Sequence, residues 1–187
     1  PEIRAQATKL TGKRALTTAA PQLVDLLHDE NARVQFHAAM ALGQAGSTET
    51  TSHLVALLER NNDKDAYIRH AAIMGLVGSA SVGQLAKNAT NPSSAVRVAS
   101  VVALRRLKHP YAGVFLNDTD ERVQRESISA IHDDTSIPEA LAEAANLLLS
   151  NTSHDEAITR RLLSANLRVG KRANAQHLVC LLYTSPS

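Results

Sequence analysis

Five stretches of the chain repeat one arrangement of apolar and polar positions. Each opens after a turn, sets a β-branched residue followed by Arg or Gln, and places small or aliphatic residues four, seven and eight positions on. The copies are Ile3-Arg4 with Ala7 and Leu10, and Val34-Gln35 with Ala38, Ala41 and Leu42. Next come Ile68-Arg69 with Ala72, Gly75 and Leu76, then Val96-Arg97 with Ser100, Ala103 and Leu104, then Val123-Gln124 with Ser127, Ala130 and Ile131. A looser sixth copy is Thr159-Arg160 with Leu163, Asn166 and Leu167. Positions i, i+4, i+7 and i+8 share one face of an α-helix, so every copy predicts a helix with one apolar stripe. Ala, Ser or Gly in that stripe lets a neighbouring helix come close.

A second apolar stretch lies between successive copies. These run from Leu16 to Leu27, Leu54 to Leu58, Val82 to Ala86, Val114 to Leu116 and Ala140 to Leu149. Each unit therefore reads as helix, turn, helix, and period-two strand alternation is absent. The turns agree. Asp29-Glu30-Asn31, Asp63-Lys64-Asp65, Asn91-Pro92-Ser93-Ser94 and Asn117-Asp118-Thr119-Asp120 are placed to cap the template helices. Gly43, Gly46, Gly75, Gly78 and Gly170 fall near helix ends, where a left-handed residue is wanted. Pro21 is expected to kink the helix it sits in, and Pro138 to start the helix running to Leu149.

The fold class is all-α: an α-solenoid, a right-handed superhelix of about five to six helical hairpins stabilised by nearest-neighbour stacking. Helical pairs at this spacing fit HEAT-like, armadillo or tetratricopeptide units, and the absence of Trp with only three Tyr disfavours the last. The turn–Val-Arg-x-x-Ala-x-x-Ala-Leu pattern is similar to short bacterial HEAT repeats. Composition narrows the class further. Of 187 residues, 44% are hydrophobic but only 3% aromatic, so the core is built from small aliphatic side chains. No apolar run reaches the roughly 18 residues of a membrane span. One cysteine, Cys180, cannot form an internal disulfide, nor a zinc or haem-attachment motif by itself.

Several stretches carry a closer resemblance. They are residues 36–43 (Phe-His-Ala-Ala-Met-Ala-Leu-Gly), 65–78, 115–123, 130–140 (Ala-Ile-His-Asp-Asp-Thr-Ser-Ile-Pro-Glu-Ala) and 161–170. Together they resemble the HEAT-repeat segment of large dehydrogenase-like c-type cytochromes of planctomycete and verrucomicrobial bacteria. In that family a sorbosone-dehydrogenase-like β-propeller precedes the repeats, and a cytochrome c domain with a Cys-x-x-Cys-His haem site follows. Cys180 is followed by Leu181, Leu182 and Tyr183, so no haem motif is present here. The resemblance implies a periplasmic or exported context and a linking or docking role beside redox domains. Haem c would belong to a downstream domain, and no cofactor is expected in this chain. Residues 1–178 are expected to form the solenoid as part of a larger protein. Residues 179–187 resemble translated sequencing adapter and are expected not to be native.

Three triplets could offer metal ligands: His28-Asp29-Glu30, His132-Asp133-Asp134 and His154-Asp155-Glu156. All lie at or beside turns, where helix capping accounts for them, and adjacent turn residues rarely converge on one ion. No Gly-x-Ser-x-Gly elbow and no Gly-rich phosphate loop is present. His37 and His70 sit beside small core residues as structural or surface groups. The chain is therefore expected to be non-catalytic, with no small-molecule substrate.

Charge is banded. Residues 64–116 carry 7 basic and 1 acidic side chains, while residues 117–157 carry 2 basic and 10 acidic. Such banding steers oppositely charged partners. Arg69 and Arg97 are expected to pair with turn carboxylates of adjacent repeats. Arg105, Arg106 and Lys108 have no acidic neighbour in sequence and form a candidate protein-docking patch. Nucleic acid is disfavoured, because the acidic block interrupts the basic band and stacking aromatics are scarce. The reading is a non-catalytic scaffold whose partners are protein domains. The alternatives are a structural part of an oxidoreductase active site and a free-standing HEAT adaptor or lyase-like protein.

Overall fold

Side-chain caps start the helices where the turns placed them. Asn31 accepts from the Arg33 N–H, Asp65 from Tyr67 and Ile68, Asp120 from Arg122, and Asp155 from Ala157 and Ile158. Each satisfies amide donors that the first helical turn leaves unpaired. Ser93 differs: it occupies the cap position, and its own N–H donates to Asn91 Oδ1 at 2.8 Å.

The computed structural model describes residues 1–150 and 155–184. The α-helices are α1 (Glu2–Lys13), α2 (Ala20–Leu26), α3 (Ala32–Ala45), α4 (Thr51–Asn61), α5 (Ala66–Ser79), α6 (Val82–Lys87), α7 (Ser94–Arg106), α8 (Glu121–Asp133), α9 (Leu141–Asn146), α10 (Glu156–Val169) and α11 (Arg172–Thr184). Single 3-10 segments cover Thr17–Ala19, Thr48–Thr50, Asn88–Thr90 and Pro110–Phe115. No strand occurs among the described residues.

The repeat copies are α1, α3, α5, α7, α8 and α10. The stretches between them pack against the template helix that follows: α2 on α3, α4 on α5, α6 on α7, Pro110–Phe115 on α8, and α9 on α10. This is an all-α solenoid of stacked helical hairpins. It divides into two compact units, Pro1–Leu107 and the residues from Lys108 onward. In the first, α3 stacks on α1, α5 on α3 and α7 on α5; in the second, α10 stacks on α8 and α11 on α10.

Several expectations need correction. Pro21 does not kink a helix. It sits in the first turn of α2, where its missing N–H leaves no hydrogen bond unmade. Pro138 precedes α9 by a turn, and its carbonyl accepts from the Leu141 N–H at 3.2 Å. The stretch from Val114 to Leu116 lies at the end of a 3-10 segment rather than in an α-helix, and α9 stops at Asn146, short of Leu149. In α1 the face bearing Ile3 and Leu10 is open, at 86% and 57% exposed, and the buried residues are Ala5, Thr8 and Gly12.

The sixth copy is displaced by one residue. Its buried stripe is Ile158, Leu162, Ala165 and Asn166, and Leu167 is 69% exposed. Asp155 fixes this register, because it stands three residues before Ile158 as Asp120 stands before Val123. Asn166 therefore occupies the position held by Leu42, Leu76, Leu104 and Ile131 in other copies.

Of the five glycines expected at helix ends, only Gly46 (φ 71°) and Gly170 (φ 65°) are left-handed caps. Gly43, Gly75 and Gly78 lie inside α3 and α5. A Cβ on Gly43 would stand 2.8 Å from Gly75 Cα, and one on Gly78 would stand 2.2 Å from the Gly43 carbonyl oxygen. The two helices meet backbone on backbone.

In four copies the Arg or Gln after the β-branched residue ties down the turn leading into its own helix. Gln35 Nε2 donates to the Asp29 carbonyl at 2.6 Å, and Gln124 Nε2 to the Leu116 carbonyl at 2.9 Å. Arg97 donates to the carbonyls of Asn91 at 2.8 Å and Pro92 at 3.2 Å, and Arg69 reaches the Asp63 carboxylate at 3.5 Å. Arg69 thus reaches a turn carboxylate within its own hairpin rather than one of an adjacent repeat. Ion pairs between adjacent repeats include Arg4 with Asp29, Arg33 with Glu2, Arg125 with Asp155 and Arg161 with Asp133.

The Arg4 hydrogen bonds, at 2.9 and 3.1 Å, hold the Asp29 carboxyl below its ordinary value, helped by the Asn31 N–H. Asp29 is only 8% exposed at its side chain. Because the folded carboxyl is held low, this contact stabilises the fold above the ordinary carboxylate range. That contribution is lost as pH falls through the folded-state value. Arg4→Ala is expected to raise the Asp29 pKa towards that of an isolated aspartate, read by NMR titration of its carboxyl. An unchanged titration would refute the assignment.

Candidate functional site

The stacking of α1, α3 and α5 lines up their outward positions into a groove on the first unit. Two adjoining concavities, of 420 and 270 Å³, share Lys9, Phe36 and His37. The first runs on to Arg33, Asp65, Tyr67 and Ile68, and the second to Lys13, Met40 and Gln44. Phe36 and His37 meet edge to face, with ring centroids 5.2 Å apart and planes at 87°. Burial, then the charges of Lys9 and Arg33, hold the His37 imidazole below its ordinary value against the opposing pull of Glu2.

Asp65, the one carboxylate among these lining residues, and Glu2, which pairs with the lining Arg33, are both committed. Glu2 pairs with Arg33 at 2.8 Å and accepts from Gln6, while Asp65 caps α5. Lys9 and Lys13 are exposed and make no ion pair among the described residues. A different concavity of the same unit, 720 Å³ along α2 and α4, is lined by Asp25, Glu49 and His53. The groove thus presents Lys9 and Lys13, and the concavity along α2 and α4 presents Asp25 and Glu49.

The residues singled out from sequence are dispersed. Arg105 and Arg106 end α7, the first half-buried and the second exposed, and so belong to the first unit. Lys108, exposed and left-handed at φ 55°, opens the second. In the triplets, Asp29 is engaged by Arg4. Asp133 is held by Arg161 at 3.1 Å and touches His132 Nδ1 at 2.8 Å. Burial pushes the Asp133 carboxyl up, but those hydrogen bonds outweigh it and hold it low. Asp134 accepts from the Ser136 N–H and hydroxyl, and Asp155 caps α10. His154 lies outside the described residues, as do residues 185–187 of the tail. Among the described residues, no group of three or more His, Cys, Asp or Glu side chains could hold a metal ion, and no helix is long and apolar enough to cross a membrane.

The groove residues went unnoticed in sequence because no short window contains them. They come from three helices, and the acidic residues of positions 25–63 offset the basic residues of α1 and Arg33 when charge is summed over residues 1–63. The one available signal was position: Lys9, Lys13, His37 and Met40 lie off the apolar stripe of their helices.

These features define the class: the described residues form an array of stacked helical hairpins with open grooves on its surface. Residues 1–77, from α1 through most of α5, match the family model of HEAT repeats. No curated protein matches the chain. HEAT repeats generally serve as scaffolds for protein interaction.

Proposed function

We propose that this chain is a non-catalytic scaffold that docks or links neighbouring protein domains. The observation that carries the reading is the open groove along α1, α3 and α5, where apolar side chains and unpaired lysines face outward together. Elsewhere, Asp29, Asp133 and Asp155 are spent on arginines and helix caps, which supports a structural role for those turns. Proteins bury apolar surface unless a partner covers it, so such a groove is best accounted for by an occupant.

The finer proposal draws on the resemblance of residues 36–43 and 130–140. The partners are redox domains of a large exported, dehydrogenase-like c-type cytochrome, in which any haem c is held outside this chain. Arg105 and Arg106, at the end of α7, are proposed to add a second cationic contact.

Two results test this. Recovery of the full gene is expected to show a β-propeller and a cytochrome c domain; a gene with neither removes the redox proposal. The purified chain, immobilised and presented with those domains, is expected to bind them with an affinity that weakens as salt rises. No association at any ionic strength removes docking.

A further inference from the structure

We propose that the groove on the first unit takes a short acidic segment of a partner protein, anchored by one or two large apolar side chains between its carboxylates. This rests on the scaffold reading and gives it a site and a partner chemistry. The floor is apolar: Ile68 is buried, Phe36 and Met40 are half-buried, and Tyr67 stands at one end, 78% exposed. An aromatic left in water beside a concavity is the kind of residue that dominates binding when a partner covers it. Phe36 is fixed edge to face against His37, so one wall of the groove is set before an occupant arrives.

Charge selects the occupant. Arg33 is already neutralised by Glu2, and Asp65 is turned to the amides of Tyr67 and Ile68. Lys9 and Lys13 remain, one turn apart on α1, beside the apolar floor. Burial is the main cause of the lowered His37 pKa, and the charges of Lys9 and Arg33 add repulsion against one more cation in this space. A segment that brings carboxylates removes that repulsion; a basic or neutral segment does not.

Nucleic acid fits less well. Duplex DNA carries a negative charge about every 1.7 Å along its axis, and tight binding requires many phosphates to be neutralised. Two lysines cannot do that, whereas they match a peptide with a few acidic residues.

The test uses the full chain and four fluorescein-labelled probes, read by polarisation. The first is a short peptide with Phe-Leu flanked by Asp and Glu, and the second has Phe-Leu replaced by Ser-Ser. The third has the acids replaced by Asn and Gln, and the fourth is an oligothymidylate of the same charge as the first. The first is expected to bind at least about ten-fold more tightly than the others, and to weaken as salt rises. Lys9→Glu with Lys13→Glu, and separately Tyr67→Ala, are each expected to weaken it about ten-fold. These side chains are exposed, so circular dichroism and the unfolding midpoint should not change.

Equal binding of the Ser-Ser peptide or the oligothymidylate would reduce the groove to a general cationic surface and overturn the proposal. Equal binding of the uncharged peptide, or none of the first up to millimolar concentration, would also overturn it. The same lysine variant separates this proposal from the broader one. If wild type and variant bind the redox domains equally, the groove is wrong and the scaffold stands. If wild type binds no domain yet takes the acidic peptide through Lys9, Lys13 and Tyr67, the groove stands and the domain partners are wrong.

Discussion

Gly78→Ala is expected to destabilise the first unit by about 2 kcal/mol, although alanine is the better helix former. Intrinsic propensity favours alanine over glycine inside a helix by about 1 kcal/mol. Against that, the new Cβ would stand 2.2 Å from the Gly43 carbonyl oxygen, 2.7 Å from its carbon and 2.9 Å from its Cα. All three are backbone atoms, so no side-chain rotation relieves the clash, and α3 and α5 must separate. Overpacking costs about 1–3 kcal/mol where flexible side chains give way, and here the obstacle is the helix itself. Sterics therefore win.

The control is Gly83→Ala in α6, where a Cβ meets nothing within 4 Å. There only the propensity term and the reduced freedom of the unfolded chain operate, and a gain of up to about 1 kcal/mol is expected. Urea midpoints of the two variants should move in opposite directions. If both rise, the backbone contact between α3 and α5 is not what the structure shows.

Asn166→Ala is expected to cost about 2–4 kcal/mol and to loosen α10 and α11 selectively. Asn166 is 1% exposed and serves three elements at once. Its Nδ2 donates to the Ala145 carbonyl after α9's midpoint at 2.8 Å and to the Leu162 carbonyl at 2.9 Å. Its Oδ1 accepts from Asn174 Nδ2 on α11 at 2.9 Å and lies 3.2 Å from His177 Nδ1. Truncation leaves the Asn174 amide, itself 5% exposed, without this acceptor in a dry site.

Asn166→Leu would restore the aliphatic side chain of the other copies and fill the space, yet it strands the same amide. It is therefore expected to be destabilising too, and Asn166→Leu with Asn174→Leu to recover part of the loss. Hydrogen exchange locates the effect. Amides of α10 and α11 should lose protection while those of α3 and α5 keep theirs, because the latter belong to the other unit. A uniform loss, or a stable Asn166→Leu variant, would contradict the role given to this side chain.

What could be read in the chain followed from how local each signal is. The caps at Asn31, Asp65, Asp120 and Asp155 act on amides two or three residues ahead, and the apolar stripes repeat within two turns. Helix positions were therefore accessible without any partner. The glycines were not, because a helix-interior glycine and a terminal one look alike until a second backbone is brought against it. Pro21 needed only a shift of the helix start to Ala20 to change from a breaker to a first-turn residue. The sixth copy was misplaced by one position because Asn166 is polar where the template asks for an aliphatic residue, and its partners Ala145 and Asn174 lie on other helices. The groove was hidden for a related reason: Lys9 and His37 are 28 positions apart and meet only through the stacking of α1 on α3.

The ties from Gln35, Arg97 and Gln124 reach main-chain oxygens of the preceding connections. Every amino acid supplies a carbonyl. Those connections can therefore exchange most of their residues, or display new ones towards a visitor, while each anchor keeps its purchase. Rigidity and variability are assigned to different atoms of the same few residues. That division lets such an array change what it recognises without losing how it stands.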